Sequence, residues 1–258
     1  MYLTLSPKRI TWTLVGVALT LTGLGLLGIL QIYDERFTVL SVLFELNSES
    51  TVSTWFAALL FLTVAVICGL ITWDHTQRRK PFVRRWGYLT IIFLLMSIDE
   101  IALLHDRLFG KLGDLMGGGG GVFFYAWVIP ALIFIAGFAL FYLSFFLSLP
   151  RETRRTLVAG LALFAFGAVG MEMISGWVIS NFEVRTIVVL LLTNVEELAE
   201  MLSMCVAIYA LLNYLNTYCR FEIRVGYAES HGALESYRAR EAVNGDGVYI
   251  GMDSTPMT

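Results

Sequence analysis

Six apolar stretches, each near the length needed to cross a bilayer, constrain this chain more than anything else in it. They run over about Ile10–Ile32, Val52–Trp73, Trp86–Leu104, Val122–Leu149, Leu157–Ile179 and Ile187–Leu215. A hydrocarbon core about 30 Å thick needs about 20 apolar residues at 1.5 Å rise per residue. Inside it no water satisfies backbone N–H and C=O groups, so runs of this length are expected to close their hydrogen bonds internally, as helices. The composition agrees, with 57% hydrophobic and 15% charged residues and a mean hydropathy of +0.71, far from soluble averages. The expected fold is all-α: a polytopic six-transmembrane-helix bundle over residues 1–219, then a polar, largely disordered cytoplasmic tail over 220–258 with a short helix around Leu234–Val243. Trp12, Trp55, Trp73, Trp86, Trp127 and Trp177 all fall near a window end, where amphipathic rings sit at headgroup level.

Loop charges set the expected orientation. Arg78, Arg79, Lys80, Arg84 and Arg85 lie between the second and third runs, and Arg151, Arg154 and Arg155 between the fourth and fifth. Lys8 and Arg9 precede the first run, and Arg220 and Arg224 follow the last. The remaining loops hold only Arg36, then Arg107 and Lys111, then Arg185. The positive-inside rule therefore predicts a multi-pass protein of the cell membrane with both termini cytoplasmic. The first run is too long for a signal-peptide core and is expected to stay as a span.

Against this background five acids stand out: Glu100, Glu172, Glu196, Glu197 and Glu200 lie inside the apolar runs, and those runs hold no Lys or Arg. A charge at the bilayer centre costs about 2.5–3.5 kcal/mol on insertion scales, so five ionised and isolated acids would oppose insertion by roughly 12–17 kcal/mol. They must be protonated, paired or neutralised, and a bound divalent metal ion is the sharpest way to do it. With the topology above, all five lie in the outer half of the bilayer or near its middle. The trio on the last run begins roughly 14 Å below its start.

Helical phase orders the trio. At 100° per residue Glu196, Glu200 and Glu197 fall at about 0°, 40° and 100°, with Ser203 at about 340°, so the last helix has one polar face. On the third helix Asp99 and Asp106 share a face, with Glu100 and His105 flanking it. Oxygen-rich clusters with few imidazoles suit Mg²⁺, Ca²⁺, Mn²⁺ or Fe²⁺. The expected metal set is Glu100, Glu172, Glu196, Glu197 and Glu200, with Asp99 or His105 as proton carrier. The spacings Glu197-x-x-Glu200 and Glu196-x-x-x-Glu200 match helical carboxylate pairs of di-iron bundles in spacing alone, because the Glu-x-x-His repeat of those sites is missing from the runs.

Other groups have plainer readings. Glu49 suits a helix start, and Asp106 with Arg107 suits the interface. Ser175, Asn194 and Ser203 read as hydrogen-bond glue between helices, the glycines of the first run as close packing, and Gly117–Gly121 as a flexible connector. Phe37–Leu46 is too short to span and is expected to lie in the interface or cover helix ends. Cys68, Cys205 and Cys219 form neither a disulfide framework nor a clustered thiolate site. No nucleic-acid motif, basic stripe or heptad run occurs, so the partners expected are membrane lipids and a lipid-like substrate, with an oligomer or complex left open.

The function most consistent with these features is a divalent-metal-dependent intramembrane enzyme, a hydrolase or oxidase acting on a lipid-like molecule. The alternatives are a proton- or cation-coupled transporter or channel, against which stand the near-absence of ionisable groups from the cytoplasmic halves of the runs and the want of an obvious inverted repeat, and a non-catalytic subunit of a membrane complex.

Overall fold

A computed structural model describes residues 6–32, 34–46, 51–103, 120–125, 127–182 and 186–219. The described residues form helices joined by turns. In chain order these are α1 (Pro7–Gly28), α2 (Thr38–Phe44), α3 (Val52–Gln77), α4 (Val83–Ala102), α5 (Val128–Ser148), α6 (Arg151–Ala165), a π-helical turn (Phe166–Met171), α7 (Glu172–Asn181) and α8 (Thr186–Tyr218), with short 3-10 turns at Ile29–Ile32, Glu35–Phe37 and Gly121–Phe123. Two units divide the chain, Met1–Thr217 and Tyr218–Thr258. The first holds α1 to α7 and nearly all of α8. The second has Tyr218 and Cys219 as its described residues, so the expected tail helix at 234–243 lies outside them.

Among the described residues, five segments are long and apolar enough to cross a membrane: Pro7–Gly28, Val52–Gln77, Val128–Ser148, Arg151–Asn181 and Ile187–Tyr218. These helices are compatible with a membrane location. The helix of the third apolar run, α4, stands apart because its 20 residues include Arg84, Arg85, Asp99 and Glu100. Large apolar side chains face outward along the bundle, Leu140 at 77% and Ile133 at 68% exposure among them, as suits helices solvated by lipid tails rather than water.

The centre of the first unit is built from α3 and α8. About half of their apolar windows is buried, 50% and 56%, against 17–22% for the other three. Val64, Cys68 and Ile71 of α3 and Cys205, Ser203 and Ile208 of α8 have no exposed surface. Thr51 starts α3 by accepting the Thr54 N–H at its hydroxyl, 3.2 Å, which satisfies one donor left over at a helix N-terminus. Alongside α3, α4 runs antiparallel. Ser97 donates to the Ala58 carbonyl at 2.8 Å, and farther along Gly69 faces Thr90 and Gly87 faces Thr72.

The turn between α3 and α4 is strained and tightly held. Arg79 and Phe82 both adopt left-handed backbone conformations, φ +50° and +65°, at a cost of about 1–3 kcal/mol each for residues with a side chain. Buried Asp74 offsets this by pairing with Arg78 at 2.8 Å and Lys80 at 2.6 Å. His75 Nδ1 lies 3.0 Å from the Pro81 carbonyl and Nε2 lies 3.1 Å from the Tyr214 hydroxyl. A carbonyl only accepts, so Nδ1 carries the proton and, in the neutral ring, Nε2 accepts from Tyr214. The turn is thereby tied to α8.

Trp86 departs from the expectation that every Trp sits at the headgroups. It is fully buried, with ring centroids 4.9 Å from Phe145 and 5.3 Å from Tyr214. Three helices meet on this indole, because α4, α5 and α8 converge where the α3–α4 turn closes the bundle. Nearness to a window end does not distinguish a ring at the interface from one turned inward.

The stretch expected to cover helix ends does so. After the 3-10 turns the chain folds back as α2 against α1. The backbone N and Cα of Ser41 lie only 2.9 Å from where a Cβ on Gly28 would stand, and Ser53 of α3 donates to the Phe44 carbonyl at 3.3 Å. Gly28→Leu should therefore unseat α2 from α1. A loss of about 1–3 kcal/mol is expected, as for overpacked sites, read as a lowered melting temperature with faster proteolysis within 38–46. An unchanged cleavage pattern would contradict this contact.

Candidate functional site

The sequence-derived acids lie toward the end of the bundle opposite the α3–α4 turn. On α4, Glu100 sits in the last turn. The helix stops where Leu103 turns left-handed, φ +51°, with its N–H on the Asp99 carbonyl at 2.7 Å. Asp99 and Glu100 are both half-buried and point about 100° apart around the helix. His105, Asp106 and Glu49 lie outside the described residues.

Glu172 begins α7 directly after the π turn. A π turn inserts a residue into the helical repeat, re-aiming everything after it, and such turns are frequent at functional sites. The turn also approaches α8 closely. A Cβ on Gly167 would lie 3.1 Å from Glu200 Cγ, 3.2 Å from Ala199 Cβ and 3.2 Å from the Glu196 carbonyl oxygen. Two turns earlier Gly160 meets the Ser203 carbonyl oxygen at 3.2 Å in the same way. Small residues let these helices pack backbone to backbone, which carries Glu172 and the α8 trio to one level.

Together these elements bring the other four glutamates within electrostatic reach of Glu200. Glu197 feels Glu100 and Glu172. Glu200 feels Glu197, Glu100, Glu196 and Glu172. All five are half-buried, neither turned outward like Leu140 nor sealed like Ser203. Tyr125, ahead of α5, joins the group. It is half-buried, near Glu172 and Glu196. Among the described residues, no three of these carboxyl groups bring their oxygens within 4.8 Å of one another. Chelation of one ion by three of them therefore needs side-chain rotation, which a two- or three-bond carboxylate arm allows.

Among the described residues, Ser175 Oγ and Asn194 Oδ1 are buried with no hydrogen-bond partner. Ser175 stands one helical turn from Glu172, whereas Asn194 Oδ1 faces α1, 3.4 Å from where a Cβ on Gly25 would stand. The expectation that Asn194 and Ser203 bond between helices is corrected. Asn194 donates to Leu190 at 2.8 Å and Ser203 to Glu200 at 2.6 Å, both carbonyls of their own helix, the local alternative open to short polar side chains. Residues that sequence reasoning passed over include Asp74, His75 and Tyr125. The first two fell just past the assigned end of the second run, and Tyr125 carries no signal apart from its aromatic character. The π turn is foreshadowed only by Gly167 and Gly170.

Residues 12–215 match a family described as "Domain of unknown function (DUF8692)". The chain belongs to this family. The matched region includes all five glutamates and stops short of the polar tail. No curated protein and no solved structure matches the chain.

Proposed function

We propose that this family member is a six-span membrane protein with cytoplasmic termini whose glutamate cluster holds a divalent cation, and that the ion serves a hydrolase or oxidase acting on a lipid-like molecule from the outer leaflet. The observation that carries the reading is the convergence of Glu100, Glu172, Glu196, Glu197 and Glu200 from α4, α7 and α8, in apolar runs without a basic residue. Like charges gathered in a region of low dielectric need a counter-ion or protons. Ser175 Oγ, buried without a hydrogen-bond partner among the described residues, stands one turn from Glu172 as a neutral oxygen donor, and an all-oxygen set favours a hard ion. Glu100, Glu197 and Glu200 act as principal ligands, with Glu172 and Glu196 alongside. When bound, the ion polarises an ester, amide or phosphoryl oxygen or activates water. Asp99 or His105 carries the proton.

Support for a sixth span comes from α4. It follows α3 along its length, its charges sit only at its two ends, and Ile91, Leu95 and Ile101 are 54–61% exposed, a face suited to lipid. The loop charges then put the α3–α4 turn in the cytoplasm. In a protein whose own cysteines are replaced by Ser, Gly120→Cys should react with an impermeant maleimide from outside and Arg79→Cys only from inside. Labelling of Gly120→Cys from the cytoplasmic side alone would overturn the topology and the outer-leaflet assignment with it.

The bundle end at the α3–α4 turn is filled by Trp86, Tyr142 and Phe145, each no more than 1% exposed, which favours a site entered from one side over a through-route. Metal analysis tests the central claim. The purified protein should carry stoichiometric divalent metal, and a Glu197→Ala, Glu200→Ala variant none. A metal-free natural protein would reject the metalloenzyme reading in favour of proton-coupled transport or assembly with a partner.

A further inference from the structure

A groove of about 410 Å³ opens between α4 and α5, lined by Tyr88 and Ile92 on one side and Phe134, Gly137, Phe138 and Phe141 on the other. Its walls are aliphatic and aromatic, and it runs about 12 Å along α5, the rise of eight residues. Gly137 makes it concave: a Cβ there would meet nothing within 4 Å. One end is cationic. Arg85 lays its guanidinium 3.6 Å over the Phe141 ring and also donates to the Phe141 carbonyl. Exposed Arg84 stands one turn before Tyr88 on the face of α4 that lines the groove. An apolar trough ending at two guanidiniums has the polarity of a single amphiphile with an anionic head, and a guanidinium fork is suited to phosphate oxygens.

We propose that this groove is a binding site for an anionic phospholipid, with one acyl chain against Gly137 and Phe138 and the phosphate at Arg84 and Arg85. The argument is independent of the glutamate cluster, which lies toward the other end of the bundle. Basic pockets between transmembrane helices are suited to such headgroups.

The test uses the detergent-solubilised full chain, titrated with phosphatidylglycerol, with phosphatidylcholine of the same chain length and with inorganic phosphate, following the melting temperature by Trp fluorescence. Phosphatidylglycerol should raise it saturably, by roughly 5 °C or more at large excess over Kd, and the other two should not. Gly137→Leu, whose Cβ has open space around it and whose side chain would occupy the groove, should abolish the response while leaving the lipid-free melting temperature near that of the natural protein. Arg84→Gln should weaken phosphatidylglycerol about fivefold, the effect of one basic residue near an anionic headgroup. Equal rises with the two lipids, the same rise with inorganic phosphate, or an undiminished response in Gly137→Leu would overturn the proposal.

Discussion

The Glu197→Gln, Glu200→Gln double variant is expected to melt at a temperature indifferent to divalent cations, while the natural protein melts higher as metal is added. A ligand that binds only the folded state stabilises it by about 2.7 kcal/mol at a hundredfold excess over Kd. For a chain of this size that corresponds to a rise of roughly 5–10 °C. Without metal the variant should be at least as stable as the natural protein, because two neutral amides replace two acids that feel each other and feel Glu100 and Glu172. The combination is diagnostic. A purely structural pair of glutamates would leave a destabilised variant and no metal-dependent melting to lose. Acid should weaken the metal response of the natural protein, since protons compete for the same oxygens. Indifference of the natural protein to Mg²⁺, Ca²⁺, Mn²⁺, Fe²⁺ and Zn²⁺ would sink the metal reading.

Trp86→Ala should be the most damaging single change at the opposite end. The indole is fully buried between Phe145 and Tyr214 and lies 6.1 Å from the His75 ring. Removing a buried aromatic side chain costs about 3–5 kcal/mol in transfer energy and cavity, a fall of roughly 10 °C or more in melting temperature. A Trp at the headgroup level would lose far less, so thermal melting separates the two placements. A loss of only a few tenths of a kcal/mol would show that α4, α5 and α8 do not depend on this contact. Trp86→Phe, which keeps most of the apolar volume, should recover much of the loss.

Much of the architecture was legible because long apolar runs have few ways to satisfy their backbone groups other than as helices. Twenty apolar residues without a charge have few options in lipid, and the long helices appear where the windows fall. What the windows could not resolve was detail set by a neighbour. The helix of the fourth run starts at Val128 rather than Val122 because Gly121–Phe123 forms a 3-10 turn whose Gly121 N–H bonds to Ser180 at 3.0 Å. The second run was cut at Trp73, although α3 continues to Gln77, because Asp74 and His75 look like loop residues until Arg78, Lys80, Pro81 and Tyr214 supply their partners.

For the site, the one-dimensional pattern identified the acids by their cost and the polar face of α8 by its spacing, since both depend only on residue type and a fixed helical repeat. The same pattern was silent on whether α4, α7 and α8 are neighbours. For α8 and the segment that carries Glu172, this was decided by Gly160 and Gly167, whose missing side chains admit the α8 backbone, and by the π turn that sets the direction of Glu172. Residue type and periodicity determine what each helix prefers to bury. Which helices meet, and which carboxyl groups therefore share one space, is settled only when close packing chooses among faces that the sequence leaves equally available.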